Sequence, residues 1–199
     1  MNLPNRLTIL RIILVPAVVA LILYQFVPAF GIIQQWLVAG IVFAAAAVTD
    51  AFDGKIARKR GIVTDFGKLL DPVADKLLVV GVLIAFLAVG LCSPWIILIV
   101  LLREFMVTSV RMVSASRGVV IPANGWGKAK TILQMIAISL IMAAEYFTYI
   151  IYHFKIPVPI WATVAAADAA QAVLWASAAV TIISGAVYLF ESREIFHDT

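Results

Sequence analysis

The chain has 199 residues, of which 64% are hydrophobic and only 13% charged, and its mean hydropathy is +1.07. Ordinary soluble domains are about 45–50% apolar and about 25% charged, so a soluble fold of this length could not hide its apolar surface and lipid must be its solvent. The net charge of +4 would suggest nucleic acid in a soluble protein; in a membrane protein it is expected from Lys and Arg retained at cytoplasmic helix ends, and no nucleic-acid partner is expected.

A helical span needs about 20 apolar residues. No charge falls between Ile12 and Thr49, a run too long for one helix and broken by Gln25, Pro28, Gly31, Gln34 and Gln35. Two spans are predicted there, near 8–27 and 33–57. A third is predicted over 65–90, ending at Gly90 and the Cys92-Ser93-Pro94 turn, and a fourth over 95–115. A fifth follows the Pro122-Ala123-Asn124-Gly125 break near 126–150, and a sixth, after Pro157 and Pro159, covers 163–190. The fold class is therefore an all-α integral membrane bundle of six transmembrane helices, a single domain over 1–199. Cys92 has no partner for an intrachain disulfide and no ligand set around it, so it is assigned no role.

The charges orient the bundle. With the N-terminus in the cytoplasm, Arg6, Arg11, Lys55, Arg58, Lys59, Arg60, Lys68, Arg111, Arg117, Lys128, Lys130 and Arg193 fall at or near inner ends, and only Lys155 lies in an outer loop. Both termini are then cytoplasmic by the positive-inside rule. Arg6 and Arg11 before an apolar run also fit a secretory signal, but the run is long and carries a motif used below.

Carboxylates within a membrane are costly and are a functional signal. Asp50 and Asp53 close the second span; Asp71 and Asp75 open the third. At about 100° per residue, Asp50, Asp53, Gly54, Ala57 and Arg58 share an arc of roughly 140°, and Gly67, Asp71 and Asp75 one of roughly 80°. With the turn at Gly61-Ile62, both pairs sit a few helical turns from the cytoplasmic end, so four carboxylates are expected to converge. Like charges so placed need a cation or raised pKa values. An all-oxygen set suits Mg²⁺ or Mn²⁺, with Ca²⁺ a further option, and two such ions would clamp a phosphoryl transfer. Gly54, Ala57 and Gly67 remove bulk on the same faces, either to admit a nucleotide or to pack helices closely.

The run Asp50-Ala-Phe-Asp53-Gly54-Lys-Ile-Ala57-Arg58, eight residues, then Gly67-Lys-Leu-Leu-Asp71-Pro-Val-Ala-Asp75 resembles the signature D-x-x-D-G-x-x-A-R-x(8)-G-x-x-x-D-x-x-x-D of the CDP-alcohol phosphotransferase family, with all eight fixed positions present. The resemblance implies two divalent cations held by Asp50, Asp53, Asp71 and Asp75, with Asp50 and Asp71 bridging and Asp75 also the base that deprotonates the acceptor hydroxyl. It implies CDP-lipid binding by Asn5, Thr8, Gly54, Ala57, Arg58, Thr64 and Gly67, with the Asn5–Thr8 segment preceding the first span. It further implies a homodimer, and an active site facing the cytoplasm of a bacterial inner membrane.

The segments Arg103-Glu-Phe-Met-Val-Thr-Ser-Val-Arg111 and Gly127-Lys128-Ala-Lys130-Thr131-Ile-Leu-Gln134, with the opening Asn5-Arg-Leu-Thr8-Ile-Leu-Arg11, resemble those of the phosphatidylglycerophosphate synthases of that family. That likeness implies CDP-diacylglycerol as donor, glycerol 3-phosphate as acceptor, and Arg103, Arg111, Lys128 and Lys130 around the acceptor phosphate. The plainer readings are that Arg103 and Glu104 join helices, and that Lys128 and Lys130 are ordinary inside charges. Lys76 either neutralises the aspartates or reaches the inner headgroups. Trp36, Trp95, Trp161 and Trp126 are expected in the aromatic belts; His153 and His197 are expected in a loop and the tail. Other acceptors (inositol phosphate, serine, phosphatidylglycerol) remain alternatives, as, more remotely, does a cation transporter; clustering of the acids at one end and the lack of a repeat weigh against transport.

Overall fold

A computed structural model describes residues 3–23, 31–60, 65–118 and 125–193, with side chains described for 9–23, 35–49, 76–118 and 125–193. Within these segments the chain forms six helices: α1 Leu3–Leu23, α2 Gly31–Arg60, α3 Asp65–Ala88, α4 Pro94–Ser116, α5 Gly125–His153 and α6 Ile160–Ser192. The order and type of elements follow the apolar runs of the sequence.

Several boundaries moved, each for a local reason. Helix α1 begins at Leu3, so Asn5–Thr8 lie inside its first turns rather than ahead of it. Pro4 permits this, because a backbone N–H in the first turn has no intrahelical acceptor to lose. Helix α6 begins at Ile160, behind Pro159 in an extended conformation (φ −60°, ψ 138°), which is three residues earlier than the apolar pattern suggests. Helix α3 stops at Ala88 and is closed by Gly90 at φ +80°, with the Leu91 N–H donating to the Phe86 carbonyl (2.7 Å) and that of Gly90 to the Leu87 carbonyl (3.1 Å). This pair of bonds satisfies the last carbonyls and requires the left-handed glycine. His153 is the last residue of α5, not part of a loop, and its ring stacks on Tyr149.

Contacts between helices fix their directions. At one end, the Gln35 amide of α2 donates to the Leu21 carbonyl of α1, Trp36 packs on Phe86 of α3 with ring centroids 6.4 Å apart, and Gln171 of α6 donates to the Leu91 carbonyl (2.7 Å). Toward the other end, Lys76 of α3, Glu104 and Thr108 of α4, Lys130 of α5 and Ser184 of α6 are joined by polar contacts. The odd helices therefore run one way and the even helices the other, an up-and-down bundle. Trp36 is turned inward by its packing on Phe86, unlike the exposed Trp95, Trp126 and Trp161.

The core is a continuous apolar cluster through all six helices, with Val18, Phe43, Leu83, Phe86, Ile96, Ile138 and Leu174 essentially sealed. Large apolar side chains also face outward: Ile13, Ile41, Leu102, Phe105, Ile132 and Phe190 are all exposed, from 59% at Ile41 to 70% at Phe190. Among the described residues, α5 and α6 are each long and apolar enough to cross a membrane. Helix α4 is long enough too, but every stretch of 18 residues in it contains Arg103, Glu104 and Arg111. Its interruption by charge leads to the polar cluster described next.

Close approach matters at two glycines. A Cβ on Gly81 would stand 3.0 Å from Val15 Cγ1 and 3.5 Å from Val19 Cγ2, so the small residue lets α3 lie directly against α1. A Cβ on Gly185 of α6 would stand 3.0 Å from Met106 Cε and 3.3 Å from Arg103 Cγ. The first contact ties together the two helices that carry Thr8 and Asp75, each about two turns nearer the signature end.

Candidate active site

The signature divides between two helices. Asp50, Asp53, Gly54, Ala57 and Arg58 lie in the last turns of α2, and Gly67, Asp71 and Asp75 in the first turns of α3. Both stretches belong to the end of the bundle opposite Leu21 and Leu91, so helix direction alone brings the two halves of the motif to one level. Their side chains, like those of Asn5 and Thr8 in α1, lie outside the described residues, and so does Thr64 altogether. Among the described residues there is no group of three or more His, Cys, Asp or Glu able to hold a metal ion. The donor set of the signature consists wholly of carboxylates, which fits hard divalent cations.

One residue beyond Asp75 the described side chains begin, and they open on a charged network. Lys76 donates to Thr108 Oγ1 at 2.5 Å and stands 3.8 Å from the Glu104 carboxylate. Among the described residues it thus reaches across to α4. Glu104 accepts from Lys130 Nζ of α5 and from Arg103 NH1 (3.1 Å), and Thr108 Oγ1 donates in turn to the Glu104 carbonyl (2.7 Å). Arg103 extends its other terminal nitrogen to Ser184 Oγ of α6 at 2.9 Å. A single carboxylate thereby gathers cations from three helices.

The sequence placed Arg103, Arg111, Lys128 and Lys130 around one anion, and the structure sorts them. Lys130 is buried and shares Glu104 with Arg103. Arg111, eight residues after Arg103, also turns toward α6: its Nε donates to Tyr188 Oη at 3.2 Å and its guanidinium carbon lies 5.6 Å from the ring centroid. Lys128, two positions before Lys130, faces away and is exposed, because two residues on a helix differ by about 200°. Arg103 and Glu104 do join helices, as the plainer reading has it, and the same contacts fix the cations in place.

Sequence reasoning missed Glu104 as the hub, and Ser184 and Tyr188 as supports. The signal for the latter was present. Ser177, Thr181, Ser184, Tyr188 and Ser192 recur every three or four residues in an otherwise apolar helix, and all are buried. A polar stripe at helical spacing inside a membrane helix marks the face that meets other polar groups.

The signature at the ends of α2 and α3 can be set beside known proteins. A sequence model described as CDP-alcohol phosphatidyltransferase matches residues 1–183. The chain belongs to that family. Within the family, it is 36% identical to the CDP-diacylglycerol–glycerol-3-phosphate 3-phosphatidyltransferase of Bacillus subtilis, over 97% of this chain and 96% of that protein. A protein of the same name from Rickettsia bellii is 36% identical over 98% of this chain and 97% of its own length. A probable phosphatidylglycerophosphate synthase of Mycobacterium tuberculosis is 40% identical over 70% of this chain and 65% of that protein. The family match takes in all eight signature positions and the polar network of α3–α5 alike.

Proposed function

We propose that this CDP-alcohol phosphatidyltransferase transfers the phosphatidyl group of CDP-diacylglycerol to sn-glycerol 3-phosphate, giving phosphatidylglycerophosphate and CMP. The observation that carries the acceptor is the fixed cluster of Lys76, Arg103 and Lys130 on Glu104, which begins one residue after Asp75. Cations held inside an apolar bundle need an anion to face, and a phosphate-bearing acceptor supplies it. Full-length likeness to relatives named for this reaction supports the same choice.

In this reading Asp50, Asp53, Asp71 and Asp75 hold two divalent cations, Mg²⁺ or Mn²⁺, which when bound neutralise charge on the diphosphate. Asn5, Thr8, Gly54, Ala57, Arg58, Thr64 and Gly67 hold the CDP moiety. Arg111 and Lys130 bind the acceptor phosphate, Arg103 flanks Lys130 at their shared Glu104, and the exposed Lys128 draws the anion in from the aqueous side. Asp75 takes the proton of the acceptor hydroxyl, whose oxygen forms a bond to the lipid-bearing phosphorus as the bond to CMP breaks. The chain is a single domain with six spans and cytoplasmic termini, acting as a homodimer in a bacterial inner membrane. Apolar exposure on every helix supports the spans, and the Lys and Arg excess at one end supports the orientation.

The test is CMP release by the purified protein in detergent, supplied with CDP-diacylglycerol and glycerol 3-phosphate, inositol phosphate, serine or phosphatidylglycerol in turn. Glycerol 3-phosphate is the expected acceptor; turnover only with another alcohol overturns the choice. Asp75→Asn is expected to abolish release while the protein still elutes as a folded species, and full activity in that variant removes Asp75 as the base.

A further inference from the structure

We infer that Glu104 is a positioning residue for the acceptor phosphate, holding the cations of three helices in the arrangement that the anion meets. The inference rests on the proposed transfer to glycerol 3-phosphate and assigns the device by which that site selects a phosphate monoester. Among the described residues, three cations meet this one carboxylate. A phosphate monoester carries about −1.5 to −2 at neutral pH and complements these grouped cations, which a neutral polyol does not.

The geometry indicates that the cations are held rather than merely nearby. The Glu104 side chain is 15% exposed, that of Lys130 6% and that of Arg103 12%, so none of them has water as an easy alternative. Arg103 is fixed at both terminal nitrogens, by Glu104 (3.1 Å) and Ser184 (2.9 Å). Two buried donors on α4 and α5 nevertheless lack an acceptor among the described residues: Arg103 Nε, and the amide nitrogen of Gln134, which is 1% exposed and one turn beyond Lys130 on the same face of α5. Buried donors without acceptors are rare and mark a place for a ligand, and an anion with only acceptor oxygens is the complement of such a set.

Replacing Glu104 by Gln sets two effects against each other. Coulomb attraction alone would strengthen binding, because removing a negative charge leaves more net positive charge. Preorganisation predicts the opposite: with no carboxylate between them, Lys130 and Arg103 repel and separate, and the phosphate must reassemble them. Outer-shell partners of metal ligands are worth roughly ten- to a hundredfold in affinity, and a residue that orients anion-binding cations is expected to act on the same scale. Full-length Glu104→Gln is therefore expected to raise KM for glycerol 3-phosphate roughly tenfold or more. KM for CDP-diacylglycerol should stay within about twofold, and Glu104→Asp should recover part of the loss.

An unchanged or lowered acceptor KM in folded Glu104→Gln overturns the inference, as does an equal rise in both KM values, which is what a purely structural role would give. If the wild-type protein fails to turn over glycerol 3-phosphate at all, it is the proposed function that fails. Should Glu104→Gln not fold, Lys76→Met removes a cation whose side chain is 31% exposed and replaces it with an apolar group of similar length. It is expected to raise the acceptor KM alone; an unaltered acceptor KM there overturns the inference.

Discussion

Tyr188 offers the sharpest separation of forces. The residue is 1% exposed and presents both a hydroxyl and a ring to Arg111, at 3.2 Å from Nε and 5.6 Å from the guanidinium carbon. Tyr188→Phe removes only the hydroxyl. A hydrogen bond to a charged group contributes about 1.5–3 kcal/mol when well sheltered, but Arg111 is itself exposed, so water can replace part of it. About 1 kcal/mol is the reasonable loss, which corresponds to roughly fivefold in the acceptor KM. Tyr188→Leu also removes the ring and its cation–π attraction, worth about 0.5–1 kcal/mol at such a site, and should bring the total to roughly ten- to thirtyfold. The assay is the initial rate of CMP release with glycerol 3-phosphate varied at saturating CDP-diacylglycerol, then the converse. An acceptor KM unchanged in both variants, or a shift seen only in the donor KM, would show that Arg111 does not meet the acceptor phosphate.

Two further expectations concern the frame. Gly81→Val places a branched side chain where even a Cβ lies 3.0 Å from Val15, and should cost about 1–3 kcal/mol by overpacking; a lower thermal midpoint in detergent is expected, and an unchanged midpoint would mean that α1 and α3 part easily. Cys92 is 8% exposed and burial raises its thiol to about 11, so at neutral pH it should resist maleimide in the folded protein and react promptly after denaturation. Rapid stoichiometric labelling of the folded chain would contradict that burial.

The helices were legible because their signal is local and strong. Apolar runs bounded by Gly90, the Pro94 turn, Gly125 and Pro159 mark the elements within a few residues. Boundaries that shifted did so where a proline is tolerated in a first turn, as at Pro4, a matter of backbone hydrogen bonding that hydropathy does not register. The charge pattern likewise singled out Arg103 inside a span, while Arg111 and Lys130 read as inner-end charges that the family likeness assigned to the acceptor phosphate. It could not say what each one touches: Lys76 follows an aspartate in sequence, yet among the described residues its partners are Thr108 and Glu104, some thirty residues on.

By itself, the sequence determined the six helices and the eight signature positions, since these depend on run length and spacing along one chain. Only the tertiary structure decided that Glu104 joins cations from three helices, that α6 supplies Ser184 and Tyr188, and that Lys128 and Lys130 part company. The reason is physical: a charge in an apolar interior is stabilised by whichever counter-group the packing brings within reach, and that distance is set by how helices cross and rotate, which no single segment encodes.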